Sequence, residues 1–395
     1  MPHESMRPAL GKTLGVPLFQ EQMMQLAIDC AGFTPAEADR LRQAMSAKRA
    51  PERITELRQR LLDGMAEHGI DPDVALDIYA KILAFSNYGF PESHAISFAY
   101  LVYASAWLKR YYPAAFTAAL LRNQPMGFYA PHSLINDARR HGVAVRGVDV
   151  NASDALATLE STDEGPAIRL GLSEVRTLGT QAAERVAAGR PYRDLEDFAA
   201  RTGLPAATLE ALATAGAFGC FGLSRRAALW AAGAAASVRA GQLPGTTAGL
   251  AAPPLPVMTP SEETLADLWA TGTYGTHPVA HIRAELAAQG VLTVSSARSP
   301  DMAADSDVAV AGLVTHRQRP PTARGVVFIS LEDETGMLNV ICPPHVWARY
   351  RRTATTAPAL LIDGRIERTG GAVNLVATAL HPLRVTAAVP SRNFR

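Results

Sequence analysis

Apolar positions recur at helical spacing through the first third of the chain. Between Pro17 and Ala31, the residues Leu18, Met23, Leu26 and Ala27 share a face, which predicts an amphipathic helix over that stretch. Thr34-Pro35-Ala36-Glu37 then supplies an N-cap, a first-turn proline and a capping-box glutamate, opening a helix expected to reach about Lys48. Another is predicted from about Ile54 to His68, closed by Gly69, and another from Pro72 to about Phe85. Ser93 caps a further one to about Tyr112, and Pro113 starts a short last one.

Beyond Val143 the pattern becomes short and mixed. Ala167-Ile168-Arg169-Leu170 reads as a strand, and residues 172–236 read as short helices punctuated by glycines at 179, 189, 203, 216, 219 and 222. Ala234 to Pro260 has the composition of a linker, and a helical piece containing Glu262 to Trp269 follows. From Asp307 the period switches to two. Strands are predicted at Val308–Val314, Gly325–Leu331, Met337–Cys342, Ala359–Glu367 and Ala372–Ala379, with a helix-like segment from Pro344 to Thr353 between the third and fourth. That order is the order of an OB barrel, with Glu332 to Gly336 and Thr369-Gly370-Gly371 expected as hairpin turns.

Composition narrows the class. The 395 residues are 48% hydrophobic and 19% charged with net charge +1, which fits two or three globular domains and excludes disordered, collagen-like and disulfide-scaffold chains. Cys30, Cys220 and Cys342 are odd in number and far apart, encoding neither a disulfide framework nor a cysteine-based zinc site. The start, MPHESMRPALGK, has no h-region and no apolar run is long enough to span a bilayer, so a reducing, cytoplasmic location is expected. Charge is evenly spread: 13 basic against 13 acidic residues in the first 125, 14 against 17 over residues 126–304, and 9 against 7 over residues 305–384. Contacts with nucleic acid must therefore come from local clusters, loops or helix ends rather than from a basic domain.

Four constellations are candidates for such contacts. Arg40, Arg42, Lys48 and Arg49 place four cations within ten residues, either to grip a triphosphate or to complement a helix C-terminus. Tyr88-Gly89-Phe90, followed by Ser93 and His94, makes a stiff aromatic loop that could stack on a base or could pack under its own helix. Gly179 with Thr180, and Gly216 with Arg225 and Arg226 nearby, mark two glycine turns between short helices. A pair of helix-hairpin-helix units would aim backbone N–H groups at phosphates there, although glycine C-caps give the same string. In the barrel, Phe328 lies on the face opposite Val327 and Ile329, and Arg317, Arg319 and Arg324 flank the first hairpin, an arrangement suited to a single strand or to a protein partner. Catalytic carboxylate pairs are missing from this pattern. Asp71-Pro72-Asp73 reads as helix capping and Glu332-Asp333-Glu334 as a hairpin tip, and neither a Walker loop nor GxGxxG nor GxSxG occurs.

Several strings together resemble the fingers of bacterial C-family DNA polymerases, the DNA polymerase III alpha subunits. They are Leu14 to Met24 (LGVPLFQEQMM), Ala36 to Met45 (AEADRLRQAM), Tyr88-Gly89-Phe90 with Ser93-His94-Ala95, Ala106-Trp107-Leu108-Lys109, and Tyr112-Pro113. Gly89 to Ala95 (GFPESHA), Asn123 to Tyr129 (NQPMGFY), Asp137 to Val143 (DARRHGV) and Asp149-Val150-Asn151 resemble the error-prone branch in particular; replicative members usually carry a basic residue where this chain has Glu92. The resemblance implies a multidomain, mainly α chain: helical fingers at 1–142, a tandem helix-hairpin-helix region at 143–240, a linker at 241–260, a connecting segment at 261–304 and an OB domain at 305–385. It also implies that the cations of Ala36 to Arg49 face the triphosphate of an incoming deoxynucleotide, that the hairpins hold primer-template DNA, and that the barrel lies near the template strand. The palm aspartates that hold Mg²⁺ in this family have no counterpart here, so the chain alone is expected not to polymerise DNA. Gln242-Leu243-Pro244 lacks the aromatic of a clamp-binding peptide, which argues against direct sliding-clamp binding. Recruitment through a Y-family-like adaptor and a RecA-like accessory protein, in damage-induced translesion synthesis, is what the resemblance implies instead. A stand-alone DNA-binding or scaffolding protein from a split polymerase gene is the alternative.

Overall fold

The computed structural model describes the chain except residues 1–2, 46–49, 86–89, 128, 240, 244, 321–322, 388–390 and 395, and except the side chains of 50–51, 53, 392 and 394. The backbone divides into two compact units, residues 1–108 and 109–395.

The first unit is helical: α1 (Arg7–Leu10), α2 (Gln20–Ala31), α3 (Pro35–Met45), α4 (Ala50–Glu56), α5 (Arg58–Glu67), α6 (Pro72–Phe85) and most of α7 (Glu92–Tyr111). The capping box read at Thr34 forms: the Thr34 N–H donates to Glu37 Oε2 at 2.8 Å, and the Glu37 N–H donates to Thr34 Oγ1 at 3.3 Å. Met23, Leu26, Leu41, Leu61, Met65 and Ile78 make a common buried core. Gly64 lets α5 press onto the end of α2, because a Cβ there would stand 2.0 Å from the Ala31 carbonyl oxygen. Two expectations are corrected. α2 starts at Gln20 rather than Pro17, because Phe19 is extended and bridges to Phe90, leaving Leu18 at the surface. The stretch expected as one helix from Ile54 to His68 is two, separated at Leu57.

The second unit opens with α8 (Pro113–Arg122) and α9 (Pro131–Arg140), followed by a small sheet of β1 (Val145–Arg146), β2 (Thr158–Thr162) and β3 (Gly165–Arg169). β3 lies between the other two, parallel to β1 and antiparallel to β2. Then come α10 (Thr180–Ala188), α11 (Leu195–Thr202), α12 (Ala206–Thr214) and α13 (Arg225–Ala235), all sharing one core built on Phe198, Leu209, Leu212 and Phe218. Further along, α14 (Pro260–Thr271), α15 (Arg283–Ala288) and α16 (Val294–Arg298) lead into the barrel. Among the described residues no helix is long and apolar enough to cross a membrane.

The barrel strands are β4 (Asp307–Gln318), β5 (Val327–Asp333), β6 (Gly336–Cys342), β7 (Ala359–Thr369) and β8 (Ala372–Pro382), with α17 (Pro344–Arg349) and α18 (Arg351–Thr356) between the third and fourth. The order β5-β6-β8-β7-β4 closes through a β4–β5 pairing, and a short β9 (Arg392–Phe394) adds to β4. This is the closed five-stranded OB topology that the alternation predicts. Val327, Ile329 and Leu331 point into the barrel and are fully buried, as their spacing requires. Strand crossing at close range needs glycine: a Cβ on Gly364 would stand 2.5 Å from the Val376 carbonyl oxygen.

Glu332 and Asp333 are not at a hairpin tip. The register pairs Asp333 with Gly336, so only Glu334 and Thr335 form the turn, and both earlier carboxylates are completely buried. Asp333 Oδ1 accepts the N–H groups of Thr335 (2.8 Å) and Gly336 (3.1 Å), while Oδ2 accepts the Val294 N–H and the Arg283 guanidinium at 2.8 and 3.0 Å. Glu332 Oε1 accepts from Arg140 Nη1 at 2.8 Å, and burial pushes its carboxyl above the usual range. Tyr274 joins the same junction, its hydroxyl accepting from Asn136 Nδ2 at 2.8 Å and its ring stacked 5.9 Å from that of His132.

His277 packs its ring against Tyr274, 5.5 Å away, and its Nδ1 accepts the Val279 N–H at 3.2 Å. That bond fixes the neutral tautomer. Burial, reinforced by Arg140, His132, Arg283 and His281, lowers its pKa to about 3. The unfolded chain takes up this proton below the ordinary value of 6.5 and the folded chain does not, so stability falls as pH drops from 6.5 toward about 3. His277→Asn keeps an N-cap acceptor without the titration. Relative to the parent chain it should gain roughly 2–3 kcal/mol between pH 7 and pH 4.5 in chemical denaturation; parallel pH profiles would refute this.

Candidate nucleic-acid interface

The two glycine turns share a positive φ but enter the following helix differently. In the first, Gly179 adopts φ +68°, a conformation that favours glycine, and turns the chain into α10 with no side-chain cap. Gly179, Thr180 and Gln181 are exposed, so the uncapped N–H groups of a nine-residue helix face outward, a geometry suited to an anionic oxygen. In the second, Gly216 at φ +76° leads through buried Phe218 to Ser224, whose side chain caps α13.

Arg225 and Arg226 occupy the first turn of α13, where the helix dipole opposes positive charge. α14 supplies the compensation. Arg225 Nη1 lies 2.7 Å from Asp267 Oδ1 and also donates to the Thr214 carbonyl, while Arg226 Nη2 lies 2.7 Å from Glu262 Oε1. A cleft of about 460 Å³ beside them is lined by Gly147, Asp149, Gly216, Glu263 and Pro256. The second hairpin is thus internally neutralised and the first is open.

The barrel sorts its arginines in the same way. Arg317, expected on the binding face, is 6% exposed. Its guanidinium donates to the Ala354 carbonyl (2.6 Å), the Ala357 carbonyl (2.5 Å) and Ser391 Oγ, tying the end of α18 to β4. Its role in this structure is internal, and burial pulls its pKa below the usual arginine value. Arg319 and Arg324 are exposed on the β4–β5 loop, and Phe328 is half-buried on the outer face of β5. The sequence reading passed over Arg349, Arg351 and Arg352, which are exposed at the α17–α18 junction. The legible signal was the absence of any Asp or Glu between residues 337 and 362.

In the first unit, Arg40 is exposed on α3 and Arg42 bonds Asp39 at 2.8 Å, whereas Lys48, Arg49 and Tyr88 lie outside the described residues. Phe90 is half-exposed. Its carbonyl accepts the Gln20 N–H at 3.0 Å, and the exposed His94 ring sits between Phe90 (5.0 Å) and Phe98 (4.5 Å). Ser93, beside it, is exposed at the start of α7. Glu92 pairs with Lys12 at 2.5 Å, so a basic residue at position 92 would face a like charge.

Family models agree with these pieces. Residues 1–69 match the bacterial DNA polymerase III alpha subunit finger domain, 142–228 a helix-hairpin-helix motif, and 308–383 an OB-fold nucleic acid binding domain. Proteins called error-prone DNA polymerase from Mycobacterium bovis and Mycobacterium tuberculosis are each 56% identical over 400 residues, covering all of this chain and 36% of the relative. Over its whole length the chain matches the C-terminal part of error-prone DNA polymerases. The error-prone DNA polymerase of Nocardia farcinica is 54% identical over 407 residues, again covering the whole chain and 35% of the relative. The chain therefore spans about a third of the length of these error-prone DNA polymerases.

The internal role of Arg317 is testable by stability. Arg317→Met keeps much of the packing but leaves the Ala354 and Ala357 carbonyls unpaired. It should cost roughly 2 kcal/mol or more of barrel stability in a denaturant titration. A loss below about 0.5 kcal/mol, the size of an ordinary surface substitution, would mean that the guanidinium does not hold α18.

Proposed function

We propose that this chain is the DNA-holding and nucleotide-facing C-terminal part of a DNA-directed, error-prone DNA polymerase that works in damage-induced translesion synthesis. Primer-template DNA lies against the hairpins and the barrel. The triphosphate of the incoming deoxynucleotide meets the cations at Arg40, Arg42, Lys48 and Arg49. Phosphoryl transfer requires Mg²⁺ held by paired carboxylates. Among the described residues no group of three His, Cys, Asp or Glu could hold a metal ion, so no catalytic step is assigned to these residues. On this reading the chain alone does not extend a primer, and recruitment runs through a Y-family-like adaptor and a RecA-like accessory protein. Gln242 and Leu243 lack the aromatic that a direct clamp contact would use.

The observation that carries the reading is the identity over the whole chain to error-prone DNA polymerases, together with an open hairpin whose amides suit a phosphate without regard to sequence. The surface of α7 supports a place within a larger protein: Ile96, Leu101, Val102 and Trp107 are all exposed, far more apolar surface than one solvated helix carries.

Thr180→Glu tests the hairpin. A carboxylate in the first turn of α10 suits the helix dipole and leaves folding intact, but it repels a phosphate at the same amides. Affinity for primer-template duplex should fall about fivefold or more, with thermal unfolding unchanged or slightly raised. Equal affinity of the variant and the parent chain would remove the first hairpin from the interface.

A further inference from the structure

The barrel is electrically polarised in a way that the sequence totals conceal. From Leu313 to Leu331 and from Met337 to Ile362 the chain carries six arginines and no Asp or Glu. Arg317 is consumed inside, so the outward charge at that end of the barrel is Arg319 and Arg324 on the loop and Arg349, Arg351 and Arg352 on the helix pair. The helix trio has no carboxylate partner among the described residues. Acid is also scarce on the elements packed around it. β8 has no acidic residue, and Asp363 on β7 pairs with His381 at 3.1 Å. Glu332 and Asp333 on β5 are buried and already bonded.

The helix pair is held rigidly. Val346 and Ala354 plug the barrel, Arg317 ties down the end of α18, and Gly325 of the loop brings its backbone against Pro344, where a Cβ would be 3.6 Å from the proline ring. The end of the loop and the start of α17 are therefore neighbours. Two half-buried aromatics accompany these cations: the Arg349 guanidinium stands 5.3 Å from the centre of the Tyr350 ring, and Phe328 lies on β5, the strand that follows the loop. Exposed cations beside partly exposed aromatic rings match a strand whose phosphates and unpaired bases are both available. A duplex offers its phosphates but hides the faces of its bases.

We propose that the α17–α18 junction, through Arg349, Arg351 and Arg352, is a docking surface for the phosphodiester backbone of single-stranded nucleic acid, extending the strand's path beyond the β4–β5 loop. This rests on the reading of the barrel as a nucleic-acid-binding domain and adds a site to it. Three phosphate contacts at fixed positions would contribute a measurable share of the salt dependence of binding.

The test uses the full chain and a fluorescein-labelled oligothymidylate. Replacing Arg349, Arg351 and Arg352 together by alanine should raise Kd at least about tenfold at moderate salt and reduce the slope of log K against log salt by about 2. The triple Arg→Lys variant should retain most of the binding, because the charges stay in place on the same helices. Unchanged Kd and slope in the alanine variant overturn the proposal, as does displacement of the oligothymidylate by polyglutamate at equal charge. If only the Arg319→Ala, Arg324→Ala double variant weakens binding, the helix pair is excluded while the barrel's nucleic-acid role stands. If the parent chain fails to bind the oligothymidylate even at low salt, the underlying reading falls and this one with it.

Discussion

A charge taken out of water must find a partner, and this requirement organises the second unit of the chain. Where α9 and the 274–283 segment meet the barrel, Glu332 and Asp333 are fully buried and are held by Arg140 and Arg283. Arg317 is buried without a carboxylate and takes carbonyl oxygens at the end of α18 instead, a favourable place for a cation. Each of these groups is costly to leave alone, so each fixes the element that satisfies it. The result is a barrel whose preceding segment is pinned by ion pairs and whose closing helices are pinned by charged hydrogen bonds, as well as by apolar packing.

The same requirement divides the arginines by task. Those drawn into the fold are bonded there, Arg225 and Arg226 to Asp267 and Glu262 and Arg317 to backbone carbonyls. Those left at the surface without an acid nearby remain available to an external anion. A net charge of +1 over 395 residues is therefore compatible with a DNA-holding protein. In place of bulk charge the chain has a few open amides at α10 and, at one end of the barrel, arginines without a carboxylate partner among the described residues, features suited to a phosphate backbone rather than to bases.

What was legible in the sequence was local. The Thr34–Glu37 capping box, the glycine turns at 179 and 216, and the alternation of Val327, Ile329 and Leu331 depend on neighbours within a few residues, and each forms as its pattern predicts. What was not legible depends on distant partners. Glu332 looked like part of an exposed turn because its partner, Arg140, lies 192 residues earlier. Arg317 looked like a surface cation because nothing local shows that α18 will end against it, and Arg225 and Arg226 looked free because α14 follows a long linker. At the candidate site the sequence displays the residue types but not their availability, since availability is a property of the tertiary structure. The motifs that carry family membership could be read directly, because they are contiguous.

On the proposed reading this near-neutral chain holds nucleic acid through a small number of localised phosphate contacts. The most direct measurement is the affinity of the intact chain for primer-template DNA across a series of salt concentrations. A log–log slope of about −3 to −5, the signature of a handful of phosphate contacts, is what the structure leads us to expect. Binding that does not change with salt, or no binding at low salt, would contradict it.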